Sequence, residues 1–401
     1  MIKIDFKTIL SPRNLIVALL IVSAIAVSLQ SAVFSPSTIT PEGYEYNRYN
    51  NYTIFKMSYH HLVNNLDLYQ LHPTEHWDLY KYSPSFAVFF GFFAAFPDWL
   101  GLILWNLLNV IALATGVYLL PKLTNNQKGF ILLISFIELL TSIQNHQSNG
   151  LMAGLILLMF VFLEKNKYLW ATLFVVLSVY IKLFGIVGMA VMLFYPKKIK
   201  LAYYTLMWFL VILMVPLLFI SIAQYQLLLT SFGNMLSSDH SISYGYSVMG
   251  WLHSWFGLEI NKYYIVFIGA LLFLLPFYRI ECYKSYVFKL LALASVLIWV
   301  VIFNHKAESP TFIIAMAGVA IWFVISKKTP VNIGLFILAF ILTSLSPTDL
   351  FPGYLRETWV IPYTLKAVPI IFIWFKIIME MLTLKPDLTL QAYSSPPTSI
   401  S

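Results

Sequence analysis

The residues best suited to chemistry gather between positions 34 and 98. Glu42, Glu45, Asp67, Glu75 and Asp78 stand there among Tyr44, Tyr46, Asn47, Tyr49, Asn50, Asn51, Tyr69, Tyr80 and Tyr82, with His60, His61, His72 and His76 between them. A carboxylate can take the proton of an attacking hydroxyl. Amides pair with hydroxyl groups and aromatic faces stack on C–H surfaces, so the mixture suits a carbohydrate. Tyr and Trp also collect at headgroup depth in any membrane protein, and composition leaves both readings open. Within this stretch His72-x-x-Glu75-His76 has the spacing of an inverted zinc motif. Pro73 interrupts the helix that motif requires and the sequence offers no neighbouring third ligand, so no metal site is expected.

Further along, Gln144-Asn145-His146-Gln147-Ser148-Asn149-Gly150 sets six polar side chains in a row between two apolar runs, more than a connecting turn needs. Glu138 would lie about 9 Å below that turn at the helical rise. An ionisable group inside an apolar run is a functional candidate, although a protonated Glu bonded within its helix is the plainer reading. Lys182 could meet a phosphate as a point charge or extend its ammonium to the interface. Two later polar stretches, one with Asp239 and His240 and one with Asn304, His305, Lys306 and Glu308, place more cationic donors beside apolar runs. Such donors could cradle a lipid-linked phosphate or diphosphate. No Walker loop, dinucleotide fingerprint or nucleophile elbow occurs, which argues against ATP, NAD and acyl-serine chemistry.

The elements that must carry these groups are membrane helices. Hydrophobic residues make up 60% of the 401 and charged residues 10%, against about 45–50% and 25% in a soluble chain. The single cysteine, Cys282, excludes a disulfide framework. The net charge of +8 is spread singly or in pairs between apolar runs, which fits membrane topology and no nucleic-acid partner. With about 20 residues per crossing, fewer where the bilayer thins, the sequence predicts an all-α polytopic protein of about twelve transmembrane helices. They fall at 14–33, 99–120, 129–143, 150–163, 168–181, 183–195, 201–222, 263–278, 287–303, 311–325, 331–345 and 360–382. The run 84–97 is too short to cross and is expected as a juxtamembrane or re-entrant helix.

With the N-terminus cytoplasmic, 16 of the 25 basic residues fall inside and 11 of the 17 acids outside, as the positive-inside rule requires. Residues 1–385 then form one integral membrane domain. Its long outer loops are 34–98 and 223–262, and residues 386–401, rich in Ser, Pro and Thr, form a cytoplasmic tail expected to be disordered.

Five stretches carry a resemblance. Asp67-Leu68-Tyr69, Tyr82-Ser83-Pro84-Ser85-Phe86, Trp105 with Asn109, Gln144 with Gln147-Ser148-Asn149, and Ile181-Lys182-Leu183-Phe184 follow one another in an order that resembles the polyprenyl-phosphate-dependent glycosyltransferases of family 87. The resemblance implies a C-type, multi-pass enzyme of the inner (plasma) membrane with its active face extracytoplasmic. A mannose-like sugar would pass from a polyprenyl-phosphate donor to a lipid or glycan acceptor. No cofactor is implied, a divalent cation being left open.

Members carry an essential Asp upstream of the Asp-Leu-Tyr element, where this chain has Asn51, or Asn50 if the register slips. An amide is no general base, so the role falls to Glu45 first, Asp78 second and Glu42 third. Lys182, His305, Lys306 and His240 are expected at the donor phosphate. Tyr82, Gln144, Gln147, Asn149 and Asp67 are expected at the sugar and acceptor. Transport or lipid flipping, or a silent glycolipid-binding relative, are the alternatives.

The topology is open to a direct check once Cys282 is replaced. Cysteines introduced at Asn64 and Ser237 are expected to react with an impermeant thiol reagent in intact cells, and one at Lys198 is not. Labelling at Lys198 with silence at Asn64 inverts the orientation.

Overall fold

The computed structural model describes residues 12–35, 37–40, 42–238, 244–390 and 393. The architecture is helical, with one small antiparallel hairpin of β1 (Thr38–Ile39) and β2 (Glu45–Tyr46). The helices are α1 (Pro12–Leu29), α2 (Asn50–Val63), α3 (Pro84–Ala94), α4 (Asp98–Tyr118), α5 (Asn125–Gln144), α6 (Asn149–Glu164), α7 (Tyr168–Ile181), α8 (Lys198–Met214), α9 (Ile222–Ser238), α10 (Val248–Phe256), α11 (Lys262–Leu274), α12 (Tyr286–Ile302), α13 (Phe312–Ile325), α14 (Pro330–Ala339) and α15 (Val368–Thr383). Among the described residues four helical stretches, Pro12–Phe34, Asp98–Tyr118, Asn125–Gln144 and Lys198–Leu218, are long and apolar enough to cross a bilayer, and eight shorter apolar helices accompany them.

Several expected boundaries shift for physical reasons. Leu183–Phe194 is a 3₁₀ helix, not an α-helix, and at about 2 Å rise per residue it spans more depth than its length implies. The predicted outer loop 34–98 contains α2 besides the expected short helix α3, and 223–262 contains most of α9 and all of α10. Capping signals account for the short ones. Ser83 accepts from Phe86 N with Pro84 at the first helical position, and Ser247 accepts from Gly250 N while Gly257 closes α10 in the left-handed region. Within the tail, Tyr393 is buried and its hydroxyl donates to Glu380 Oε2 over 2.5 Å.

The chain forms two compact units. The first comprises Met1–Leu119, Leu140–Ile186 and Ile199–Ile242; the second comprises Leu120–Leu139, Val187–Lys198 and Ser243–Ser401. In the first, α4 and α6 pack so closely that a Cβ on Gly154 would meet the Ala112 carbonyl carbon at 2.4 Å, and one on Gly116 would meet Leu157 Cβ at 2.8 Å. Lipid tails are as apolar as leucine, so membrane helices gain from such close approach at small residues where hydrophobic burial gives them little.

In the second unit, α12 and α13 are buried almost throughout. There Lys366 Nζ donates to Glu138 Oε1 over 2.7 Å and to Thr343 O over 2.9 Å, with the two charged side chains 2% and 0% exposed. Glu138 is thus neither solitary nor bonded within its own helix. Removing one partner of a buried pair leaves the other charge without compensation, at about 3–5 kcal/mol. Lys366→Met is therefore expected to collapse the yield of folded protein and its thermal midpoint in detergent, and adding Glu138→Gln should restore much of both. A double variant no better than the single one means the pair does not couple.

Candidate active site

The polar turn after α5 is built by helix-end chemistry. His146 N bonds to Ile143 O over 3.1 Å and Gln147 N to Ser142 O over 3.1 Å, with His146 in the left-handed region at φ +51°. This is the Schellman arrangement, usually closed by Gly or Asn; α2 and α6 end the same way at Asn65 and Asn166. One face of α4 holds the turn. Trp105 Nε1 donates to His146 O over 2.8 Å, and Asn106 Nδ2 spreads between Ser28 Oγ at 2.9 Å, Ile143 O at 3.2 Å and His146 Nδ1 at 3.2 Å. Asn109 Oδ1 accepts from Leu151 N over 2.8 Å at the start of α6.

A short polar chain follows. Asn149 Nδ2 donates to Gln147 Oε1 over 2.6 Å, and Lys182 Nζ donates to Asn149 Oδ1 over 2.7 Å. Lys182 ends α7 in an extended conformation, half-buried, with its ammonium 5.9 Å from the Tyr82 ring centroid and 5.8 Å from that of Phe184. It does not simply snorkel. The structure therefore brings together Lys182, Asn149, Gln147 and Tyr82, while Gln144 is exposed at the end of α5.

The stretch Tyr82–Phe86 positions this group. Ser83 Oγ donates to Tyr180 O over 2.6 Å and Ser85 Oγ to Ile212 O over 2.8 Å, fastening the start of α3 to α7 and α8. Phe86 stacks on Tyr82 with centroids 4.9 Å apart. Beside it an apolar cavity of about 380 Å³ is lined by Phe86, Phe89, Leu151, Leu155, Tyr180 and Ile181 among others. Ile181 and Leu151 stand next to Lys182 and close to Asn149 in the chain.

The carboxylates between residues 42 and 78 have varied company. Glu45, exposed on β2, accepts from Ser37 Oγ. Asp78 is exposed and ion-paired to Lys81 at 2.9 Å, and Glu42 is exposed at the hairpin turn. Asp67 braces its own loop, accepting from Tyr69 N over 3.0 Å and from Ser231 Oγ over 2.7 Å, while Tyr69 OH donates to Tyr82 O over 2.9 Å. Asn51 Nδ2 donates to Asn145 O over 2.9 Å, tying the start of α2 to the polar turn. In the second unit, His305 Nε2 lies 3.2 Å from Lys262 Nζ, and Lys306 N bonds to Asn304 Oδ1 over 3.0 Å. His240 falls outside the described residues.

Sequence reasoning missed two residues around the site and one buried lysine of the second unit. Asn106 differs from its neighbours by no local signal, and only burial reveals its role. Asp98 accepts from Lys56 Nζ over 2.6 Å and from Tyr49 OH over 3.0 Å; burial and this carboxylate push the Tyr49 hydroxyl up to about 12, so it stays a donor. Lys366 was legible only as a lysine within a predicted crossing.

An all-helical membrane protein with an ordered polar site beside an apolar cavity has the parts of a membrane-embedded transferase. The profile of glycosyltransferase family 87 matches residues 80–348, and the chain belongs to that family of glycosyltransferases. No curated protein matches the chain. The match includes Tyr82–Phe86, the polar turn and Lys182, and begins after Glu42, Glu45, Asp67 and Asp78.

Burial pushes the His146 imidazole down to about 3, against about 6.5 for a free imidazole. Between those values the unfolded chain binds a proton that the folded one refuses, so stability is full above about pH 6.5 and falls on acidification by about 1.4 kcal/mol per pH unit. His146→Asn keeps a residue that tolerates the left-handed turn and removes the titrating group. Its thermal midpoint is expected to fall less than that of the natural protein between pH 7 and pH 5. Parallel curves would show that His146 is not buried as a neutral ring.

Proposed function

We propose that this glycosyltransferase takes a mannose-like sugar from a polyprenyl-phosphate donor and passes it to a lipid or glycan acceptor at the extracytoplasmic face. The reading is supported above all by one juxtaposition: the half-buried Lys182 ammonium, oriented by Asn149, directly follows Ile181, which lines the apolar cavity. A lipid-linked phosphate asks for that combination, an apolar wall for the chain and a fixed cation for the anionic head.

In the proposed reaction the acceptor hydroxyl oxygen attacks the anomeric carbon as the bond from that carbon to the phosphate oxygen breaks, and the electron pair leaves with the lipid phosphate. Glu45 takes the hydroxyl proton, and the anomeric configuration inverts. Lys182 stabilises the charge growing on the departing phosphate. Gln144, Gln147 and Asn149 supply amide partners for sugar hydroxyls, with Tyr82 offering an aromatic face. Twelve crossings with cytoplasmic termini belong to the same proposal, because they set the outer loops and this site on one side.

Loss of one charge-assisted contact costs about 1.5–3 kcal/mol, so Lys182→Met should lower transfer from radiolabelled polyprenyl-phosphate mannose by about tenfold to a hundredfold with unchanged expression. Full transfer with reduced yield would make Lys182 a structural lysine. A general base contributes about 10²–10⁴ in rate, so Glu45→Gln should nearly abolish turnover without loosening donor binding. Wild-type rates in Glu45→Gln move the role to Asp78, tested by Asp78→Asn, or to position 51, tested by Asn51→Asp.

A further inference from the structure

A cluster of histidines within residues 61–76 has no part in the reaction just proposed. His61, near the end of α2, is 4% exposed, and its Nε2 lies 2.8 Å from Glu75 Oε2. The two atoms form an ion pair when the imidazole is protonated, and both are shielded from solvent. With the imidazole neutral and deprotonated at Nε2, the same two atoms are spaced as neighbouring ligands of one metal ion can be. The His72 ring lies over His61 with centroids 3.9 Å apart. Its Nε2 is 3.3 Å from Asp67 O, and donation there leaves Nδ1 as the lone-pair nitrogen. A second ring nitrogen bonded to a backbone carbonyl is the usual support of a metal-ligating histidine. One ligand atom from each of His61, His72 and Glu75 lies within 4.8 Å of the others.

Pro73 does not prevent this. Glu75 N and His76 N both bond to His72 O, at 2.9 and 3.1 Å, so His72 opens a single turn whose first position needs no N–H donor. The missing third ligand comes from α2, eleven residues upstream of His72 and beyond the reach of motif spacing.

We propose that His61, His72 and Glu75 bind a divalent transition metal of the zinc class and thereby clip the end of α2 to the irregular segment between α2 and α3. Two imidazoles and a carboxylate suit zinc with a fourth position open, whereas imidazole suits calcium or magnesium poorly. Residues 64–83 carry no long helix or strand of their own and hold Asp67, Asp78 and Tyr82. A cross-link at residues 61, 72 and 75 restricts that segment as metal binding does in small metal-dependent loops.

The test uses untagged, full-length protein in detergent, stripped with chelator and titrated with cobalt(II), then zinc(II). One equivalent of cobalt should bind with a visible d–d band that zinc abolishes, and zinc should slow tryptic cleavage at the exposed Lys81 severalfold. His61→Ala and Glu75→Gln should each weaken cobalt binding at least tenfold, while the metal-free thermal midpoint of Glu75→Gln stays that of the stripped natural protein. Absence of stoichiometric cobalt binding by the natural protein, or undiminished binding by a His61→Ala/His72→Ala double variant, overturns the proposal. None of these readouts depends on sugar transfer, so they stand or fall separately from the donor assignment.

Discussion

The site depends on how one face of α4 satisfies the polar turn between α5 and α6. A turn at the edge of the apolar region has few waters to pair its backbone, and each unsatisfied group there costs several kcal/mol. Trp105, Asn106 and Asn109, spaced along a single helical face, supply the donors and acceptors instead. Because the α4 residues are 0% exposed, the turn is fixed by the same packing that brings Gly154 against Ala112. Positioning of Gln147 and Asn149 is therefore a consequence of helix packing, and Lys182 inherits its orientation from Asn149.

The stretch from Tyr82 to Phe86 does the complementary task from the other side. Each residue has a separate physical role: Tyr82 lies under the Lys182 ammonium, Ser83 caps α3 and bonds to Tyr180 O, Pro84 begins the helix, Ser85 bonds to Ile212 O and Phe86 walls the cavity. Asp67-Leu68-Tyr69 then links to it through Tyr69 OH on the Tyr82 carbonyl. Motifs that read as candidate contact residues are in good part fasteners of backbone.

Charge inside the membrane follows the same economy of partners. Glu138 and Lys366 are far apart in sequence and fully buried, and each is tolerated because the other is present. A pair of this kind is weak support for stability compared with an apolar core of the same volume, but removing either partner strands the other charge.

The class of fold, the polar turn and the family are legible in the sequence alone, because apolar length, local charge and short-range spacing are all properties of contiguous residues. It also placed α3 as a helix too short to cross, from the length of its apolar run. The sequence could not determine the 3₁₀ form of Leu183–Phe194, the helices Asn50–Val63, Ile222–Ser238 and Val248–Phe256, or the use of Asp67 and Asn51 as backbone braces. Glu138 as a paired charge, Asn106 as an anchor and His61 beside Glu75 were equally hidden. In each of these the partner arrives from another helix, and which helices meet is decided by packing at small residues and by the satisfaction of buried polar groups, neither of which has a period that a single strand of sequence can display.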